Sequence, residues 1–477
     1  MNFKNIQNLD NYSGTILIPV FETTAKSLVP IEYHGVSITS AVFYGKKDTH
    51  YIVDKYNCIH IFIGLGKEIE YKSLKNIFRR ISSKQKDSFY GNVALVLPND
   101  FINNQAESSI SGLLLGTYDL GHFKEKETHP FLKIGFELDI ISKNDFSKSI
   151  QKGLKIAEAQ LEVFNLVDLP PNVVTPKYLS NWATETGNKN GFTTEIFGLE
   201  KSNELGLEAF TSVGKGSNQE LQFVIMNYTP ENANSKTKNI GLVGKGVTFD
   251  TGGLNIKTAG MVHMKCDMAG GAAVFGTMQL ISSLKLDVNV TAIVPCCENS
   301  VDSKSFLPSD VIGSYSGHSI EIIDTDAEGR LILADGLSYL IKNFNPDIII
   351  DIATLTGSSV GTFGYECGAL FTNNEDLSKN LQKSGDEIGE RLWQLPLWDS
   401  YKSDIESEIA DVKNYSGKPV AGAISAAKFL EFFTNDHKSW AHLDIAGVAF
   451  GDDEFAKTKH ATAFGVHLLT KFIENLI

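Results

Sequence analysis

The sequence predicts an α/β fold in two domains, a smaller N-terminal one and a larger C-terminal one built on a mostly parallel central sheet. Three observations predict it. The chain has 477 residues, too many for one ordinary hydrophobic core. Short apolar runs alternate with helix-like amphipathic stretches along its length. A proline-rich turn, D-L-P-P-N-V-V-T-P from Asp168 to Pro176, then breaks that alternation where a domain boundary is expected.

Near the N-terminus, Thr15–Val20, Cys58–Ile63 and Asn92–Leu97 read as strands, with an amphipathic helix over Tyr71–Ser83 between the last two. From Asp145 to Val167, apolar residues at Ile150, Leu154, Ile156, Ala159, Leu161 and Phe164 predict a long helix, which the three prolines terminate. This spacing places an N-terminal α/β domain at 1–150, a linking helix at 151–170 and the larger domain at 171–477. In the larger domain Phe223–Tyr228, Ile240–Val243, Val288–Val294, Asp347–Ile352 and Trp440–Ile445 are near-continuously apolar, as strands covered on both faces are. Glu231–Lys238 is polar and reads as a surface loop, and the Leu337–Leu340 pattern reads as core.

With 42% hydrophobic and 21% charged residues the composition is that of a soluble globular protein. A net charge of −14 argues against nucleic acid as the main partner, which would need a surplus of Lys and Arg. The basic run at Arg79, Arg80, Lys84 and Lys86 reads as a solvated helix face. The first apolar run, Thr15–Val20, is far too short for a secretory leader, and no stretch approaches the ~18 apolar residues of a membrane span. Five scattered cysteines without CxxC spacing argue against a disulfide framework or a cysteine zinc site, and the pair Cys296–Cys297 reads as packing. A reduced, cytoplasmic protein is expected.

The most informative segment is D-T-D-A-E-G-R-L, Asp324 to Leu331. It follows a strand-like run, Ser319–Ile323, and precedes a helix-like one, Leu331–Leu340, with Gly329 expected to allow a tight turn. Three carboxylates so close repel one another unless a metal ion or a basic side chain joins them. Polar residues at the carboxyl ends of parallel strands are where such sheets build sites. There the chain offers Lys245, Asp250 and Lys257 in G-K-G-V-T-F-D-T-G-G-L-N-I-K, and Asp267 in M-K-C-D-M-A-G-G-A-A at the start of a small-residue helix. Neither a Walker A loop nor a dinucleotide fingerprint fits these glycines. Asp250, Asp267, Asp326 and Glu328, with Lys245, Lys257 and Arg330, form an oxygen-rich set without histidine, suited to Mg²⁺, Mn²⁺ or a pair of Zn²⁺ ions sharing carboxylates. His442 reads as a core histidine, and His263 lies beside the same loop.

These residues resemble the M17 leucyl aminopeptidase family, also called cytosol aminopeptidase or peptidase A, whose signature is N-T-D-A-E-G-R-L. D-I-A-T-L-T-G (Asp351–Gly357), W-A-H-L-D-I-A-G (Trp440–Gly447) and L-P-P-N-V-V-T-P look like further family blocks in family order, over about 165–470. The resemblance implies a macro-domain-like N-terminal domain and a catalytic C-terminal domain with two divalent metal ions per subunit, Zn²⁺ and/or Mn²⁺, with Mg²⁺ or Co²⁺ as options in the exchangeable site. Lys245, Asp250, Asp267 and Glu328 would hold the tight ion; Asp250, Asp326 and Glu328 would hold the exchangeable one. Lys257 would stabilise the developing oxyanion, and Arg330 would hold a bicarbonate that acts as general base. Met264, Thr354 and Gly357 would line the pocket for an apolar first residue. The implied activity is removal of Leu-like residues from peptides with a free N-terminal amine, by a cytoplasmic homohexamer, a dimer of trimers. The alternatives are a nucleic-acid-binding or regulatory role, which the acidic balance opposes, and an inactive scaffold, which the occupied ligand positions oppose. This chain departs from the family pattern at Asp324 (Asn in the signature), at His318 (often Lys) and at Asp168 (often Asn).

Overall fold

The structure is a computed structural model describing residues 2–24 and 30–477. It divides into two compact units, Met1–Glu158 and Ala159–Ile477, the division falling inside the helix Ser147–Asp168. Both units are α/β, as the alternating pattern predicts.

The first unit holds a six-stranded sheet, ordered Asn2–Asn5, Glu137–Ile141, Asn92–Val96, Gly14–Phe21, Cys58–Gly66 and His50–Lys55. Neighbours are parallel except the last pair, which is antiparallel. The central strands are the apolar runs of the sequence; Ile16, Leu17, Ile61 and Phe62 are fully buried. The helices Tyr71–Lys84 and Asn103–Leu115 touch at Gly112, where a Cβ would lie 2.1 Å from the Lys75 carbonyl oxygen. Arg79 corrects one expectation: it is only 8% exposed, on the buried side of its helix rather than a solvated face.

The second unit is built on a sheet ordered Leu392–Gln394, Gly368–Thr372, Trp440–Asp444, Ile348–Ala353, Asn239–Gly244, Asn289–Asn299, Gln222–Tyr228 and Thr193–Phe197. The four strands from Trp440–Asp444 to Asn289–Asn299 run parallel. Antiparallel pairs flank them on both sides. The short strand Gly246–Asp250 adds in parallel to the end of Asn289–Asn299. Buried residues such as Leu242, Val243, Ile349, Ile350 and Ile352 explain the unbroken apolar runs, since both faces are covered.

Two helices matter for the site, Ala269–Leu284 and Gly329–Phe344. The first can seat its N-terminus on the sheet only because Gly270 lacks a side chain; a Cβ there would lie 2.2 Å from the Ile352 carbonyl oxygen. The second follows the strand Ile320–Glu321, which pairs with Val311–Ile312 and Val412–Lys413 in a small sheet. The strand expected over Ser319–Ile323 thus shortens to two residues, while Leu337 and Leu340 are buried as expected. Cys296 and Cys297 are wholly buried in the strand Asn289–Asn299, consistent with packing. Among the described residues no helix is long and apolar enough to cross a membrane.

Candidate metal centre

Three chain segments deliver the acidic and basic residues to one place at the carboxyl ends of the parallel strands. Lys245 leaves the strand Asn239–Gly244 with its N–H bonded to the Ile352 carbonyl at 3.1 Å. Asp250 closes Gly246–Asp250, and Lys257 sits in the loop that follows. Asp267 lies between the 3₁₀ turn Met261–Cys266 and the helix Ala269–Leu284. Asp326 and Glu328 come from the octapeptide, Glu328 directly before the helix Gly329–Phe344, where the helix dipole favours a carboxylate.

The side chains interlock as ion pairs. Lys245 Nζ is 2.7 Å from Asp267 Oδ2 and 2.9 Å from Glu328 Oε1. It also donates to the Thr354 carbonyl at 3.1 Å. Lys257 Nζ is 2.7 Å from Asp250 Oδ2 and pairs with Asp326 as well. Burial works against the Lys245 ammonium, but Asp267, Glu328 and Asp250 outweigh it and hold its pKa above the ordinary lysine value. Lys257 behaves alike: burial opposes its charge, and Asp250, Glu328, Asp267 and Asp326 raise its pKa. Burial pushes the carboxyls of Asp250, Asp267 and Asp326 above the usual range, and neighbouring acids add to it.

The donor set fits divalent cations. Asp250, Asp326 and Glu328 each offer an oxygen, and these atoms lie within 4.8 Å of one another. Four carboxylates face only two ammonium groups, Lys245 and Lys257. Among the described residues Glu328 Oε2 is buried and accepts no hydrogen bond. A buried carboxylate oxygen without a donor is costly unless a cation meets it. A dication beside Lys245 would also favour the neutral amine, the form able to ligate.

Several groups beyond the expected ligands hold this cluster. Thr325 and Asn255 bond reciprocally: Asn255 N–H to Thr325 Oγ1 at 2.8 Å, and Thr325 N–H to Asn255 Oδ1 at 3.0 Å. This ties the loop bearing Lys257 to the octapeptide. Asn414, fully buried, accepts from the Ile323 N–H at 2.8 Å and donates to the Asp324 carbonyl at 2.7 Å. Its main-chain carbonyl takes Arg330 Nη1 at 2.8 Å. Asp444 holds the segment after Ile348–Ala353 through Thr356 Oγ1 at 2.6 Å and the Leu355 N–H at 3.2 Å.

Beside the cluster lies a cavity of about 580 Å³ whose lining includes Asp324, Asp326, Arg330, Leu355, Gly357 and Tyr415. Arg330 is 5% exposed, and burial lowers its pKa to about 10. Gly357 opens the helix Gly357–Phe363 on the cavity wall. Thr354 is buried and turned to the ion cluster, its Oγ1 donating to Asp267 Oδ1 at 2.9 Å. Met264 is half-buried in the 3₁₀ turn and, like Thr354, is not among the residues lining this cavity. Asp324 Oδ1 accepts the Asp326 N–H at 2.8 Å, a role an asparagine oxygen could also fill. His442 is fully buried, with Nδ1 2.5 Å from Asp351 Oδ1. The ring of His263 packs near Phe450.

Residues 163–470 match the sequence profile of the Cytosol aminopeptidase family, catalytic domain. A probable cytosol aminopeptidase of Chloroherpeton thalassium is 38% identical over 439 residues, covering 87% of this chain and 85% of that protein. A cytosol aminopeptidase of Buchnera aphidicola subsp. Acyrthosiphon pisum is 39% identical over 429 residues, covering 87% of this chain and 84% of the other. Among solved structures, the bottromycin maturation enzyme BotP in complex with Mn is similar with a TM-score of 0.84 and 26% identity, over 97% of this chain and 99% of that one.

Proposed function

The chain belongs to the cytosol aminopeptidase family and is a metal-dependent aminopeptidase; from that premise we propose that it uses two divalent cations to release Leu-like, apolar residues from peptide N-termini. The observation that carries this reading is the convergence of Lys245, Asp250, Lys257, Asp267, Asp326 and Glu328 into one acid-rich cluster, buried except at Asp326 and Lys257. Lys245, Asp250, Asp267 and Glu328 would hold one ion, and Asp250, Asp326 and Glu328 the other. Bound cations would supply Lewis acidity, a hydroxide near neutral pH and anchoring of the free α-amine that restricts action to chain ends.

The chain's own groups do the rest. Lys257, held between Asp250 and Asp326, would donate to the oxygen that gains charge as the carbonyl is attacked. Arg330 presents a guanidinium to the cavity, and its fork suits a bidentate oxyanion such as bicarbonate acting as base. Gly357 leaves room in the wall for a first side chain, with Leu355 beside it. Thr354 serves this site through Asp267 and Lys245. BotP was solved with Mn, which makes Mn²⁺ the first ion to test here. We place the enzyme in the cytosol as a homohexamer, a reading supported by the family alone.

Hydrolysis of Leu-p-nitroanilide by metal-stripped protein, before and after adding Mn²⁺ or Zn²⁺, tests the reading. Turnover should appear with metal and vanish with chelator. No turnover with any divalent ion would sink it.

A further inference from the structure

Asn299 ends the strand Asn289–Asn299 and is fully buried. Its amide nitrogen donates to Asp250 Oδ1 at 2.8 Å and to the Thr325 carbonyl at 3.0 Å. Both partners are acceptors, which fixes the amide orientation, since the flipped form would set oxygen against oxygen. Asp250 Oδ1 also accepts the Gly252 N–H at 2.8 Å. With that oxygen held by two donors, Asp250 turns Oδ2 to the cluster, where Lys257 meets it at 2.7 Å.

The backbone explains how Asn299 reaches Asp250. Gly246–Asp250 runs parallel to Asn289–Asn299, and the register slips between Val247 and Phe249, so that Asp250 stands opposite Asn299. A bulge of this kind re-aims a side chain at a strand end. The second donated bond reaches the segment carrying Asp326 and Glu328. One NH₂ group therefore sets the spacing of carboxylates on two separate segments. Removing it would leave Asp250 Oδ1 one donor short and free that carboxylate to rotate.

We propose that Asn299 is a positioning residue for divalent-cation binding, acting through Asp250 Oδ1 and the Thr325 carbonyl; this rests on the metallo-aminopeptidase reading of the site. A residue serving stability alone would lower the melting temperature and leave cation affinity unchanged. Outer groups that orient a ligand set its affinity, typically by 10–100-fold.

The test is calorimetric titration of the metal-stripped, full-length chain with Mn²⁺. Asn299→Ala should raise the Mn²⁺ Kd about 10–100-fold. Its kcat on Leu-p-nitroanilide should recover at excess Mn²⁺, with KM unmoved. Asn299→Ser, which leaves a smaller void, should behave alike. Asn227→Ala, which removes the acceptor of Thr291 Oγ1 elsewhere in the sheet, should keep the wild-type Mn²⁺ Kd. A wild type that binds no Mn²⁺ overturns the reading of the site and this proposal together. Folded Asn299 variants with wild-type Kd, activity that excess Mn²⁺ cannot restore, or failure of both variants to fold assigns Asn299 to stability alone and overturns the proposal while leaving the reading of the site intact.

Discussion

Gly329 lies directly against Lys245: a Cβ at position 329 would stand 2.6 Å from Lys245 Nζ and Cε. The glycine is the first residue of the helix Gly329–Phe344, so its value is the space it leaves and not a turn. Lys245 cannot yield easily, because Asp267, Glu328 and the Thr354 carbonyl all hold its ammonium. Gly329→Ala should therefore displace Lys245 from the carboxylates. The variant should still fold but with a lower melting temperature, because breaking a buried ion pair costs about 3–5 kcal/mol. Its activity on Leu-p-nitroanilide should fall roughly 100-fold, about 3 kcal/mol of transition-state stabilisation. Wild-type activity in a folded Gly329→Ala would show that Lys245 can leave the cluster at no cost to the reaction.

Glu328 is the second prediction. It meets Lys245 and shares the oxygen cluster with Asp250 and Asp326. Glu328→Ala should lower kcat/KM by roughly 10³-fold or more, about 4 kcal/mol. Circular dichroism should remain that of the folded protein, since the change relieves repulsion among buried acids. Full activity in this variant would refute its assignment as a ligand.

The cluster was legible because each acid sits in a short segment whose local chemistry announces it. Asp250 lies beside glycines at the end of an apolar strand, Asp267 precedes a small-residue helix, and Asp326 and Glu328 precede another. Asn299 and Asn414 were not legible, because their partners lie 49 and 90 residues away and only the register of the sheets brings them together. Thr354 was expected on the pocket wall; its hydroxyl instead faces Asp267, a direction that spacing alone does not encode. The strand His50–Lys55 has no buried residue and so no alternation to read. The helix Asn103–Leu115 hid for the opposite reason: its buried side includes Ser108, Ser109 and Ser111, which carry no apolar signal.

Asn414 gives a third prediction. Its Oδ1 accepts the Ile323 N–H, and its Nδ2 donates to the Asp324 carbonyl at 2.7 Å and to the Ala327 carbonyl at 3.4 Å. Asn414→Asp would keep the acceptor and turn the donor into an oxygen facing two carbonyls. Despite the small change it should cost about 1–3 kcal/mol of stability and distort the segment carrying Asp326. Asn414→Ala removes the clamp without that repulsion and should be the milder variant. Thermal melts and kcat/KM at pH 8 give the order; an aspartate variant more stable than the alanine one would show that the donor side of the amide is dispensable.

Asp335 ties stability to pH at a distance from the metal ligands. It is fully buried on the helix Gly329–Phe344, with Oδ1 accepting the Tyr315 N–H at 2.8 Å and Oδ2 the Phe210 N–H at 2.9 Å. Burial lifts its pKa from 3.8 to about 7, with nearby Glu208 adding to the rise and the N–H donors opposing it. The folded state therefore binds the proton more tightly than the unfolded chain. The stability this contributes is complete below about pH 4 and is lost as pH rises through about 7. Asp335→Asn cannot ionise, and its NH₂ group must face one of the two N–H donors, so it should be less stable than wild type throughout. Its deficit in melting temperature should be larger at pH 5.5 than at pH 8, because only the wild type carries the growing cost of a buried charge. That cost is about 2 kcal/mol over the interval, or a few degrees. A deficit that widens with pH would mean that the N–H donors keep Asp335 ionised in the folded state, with the sign of the linkage reversed.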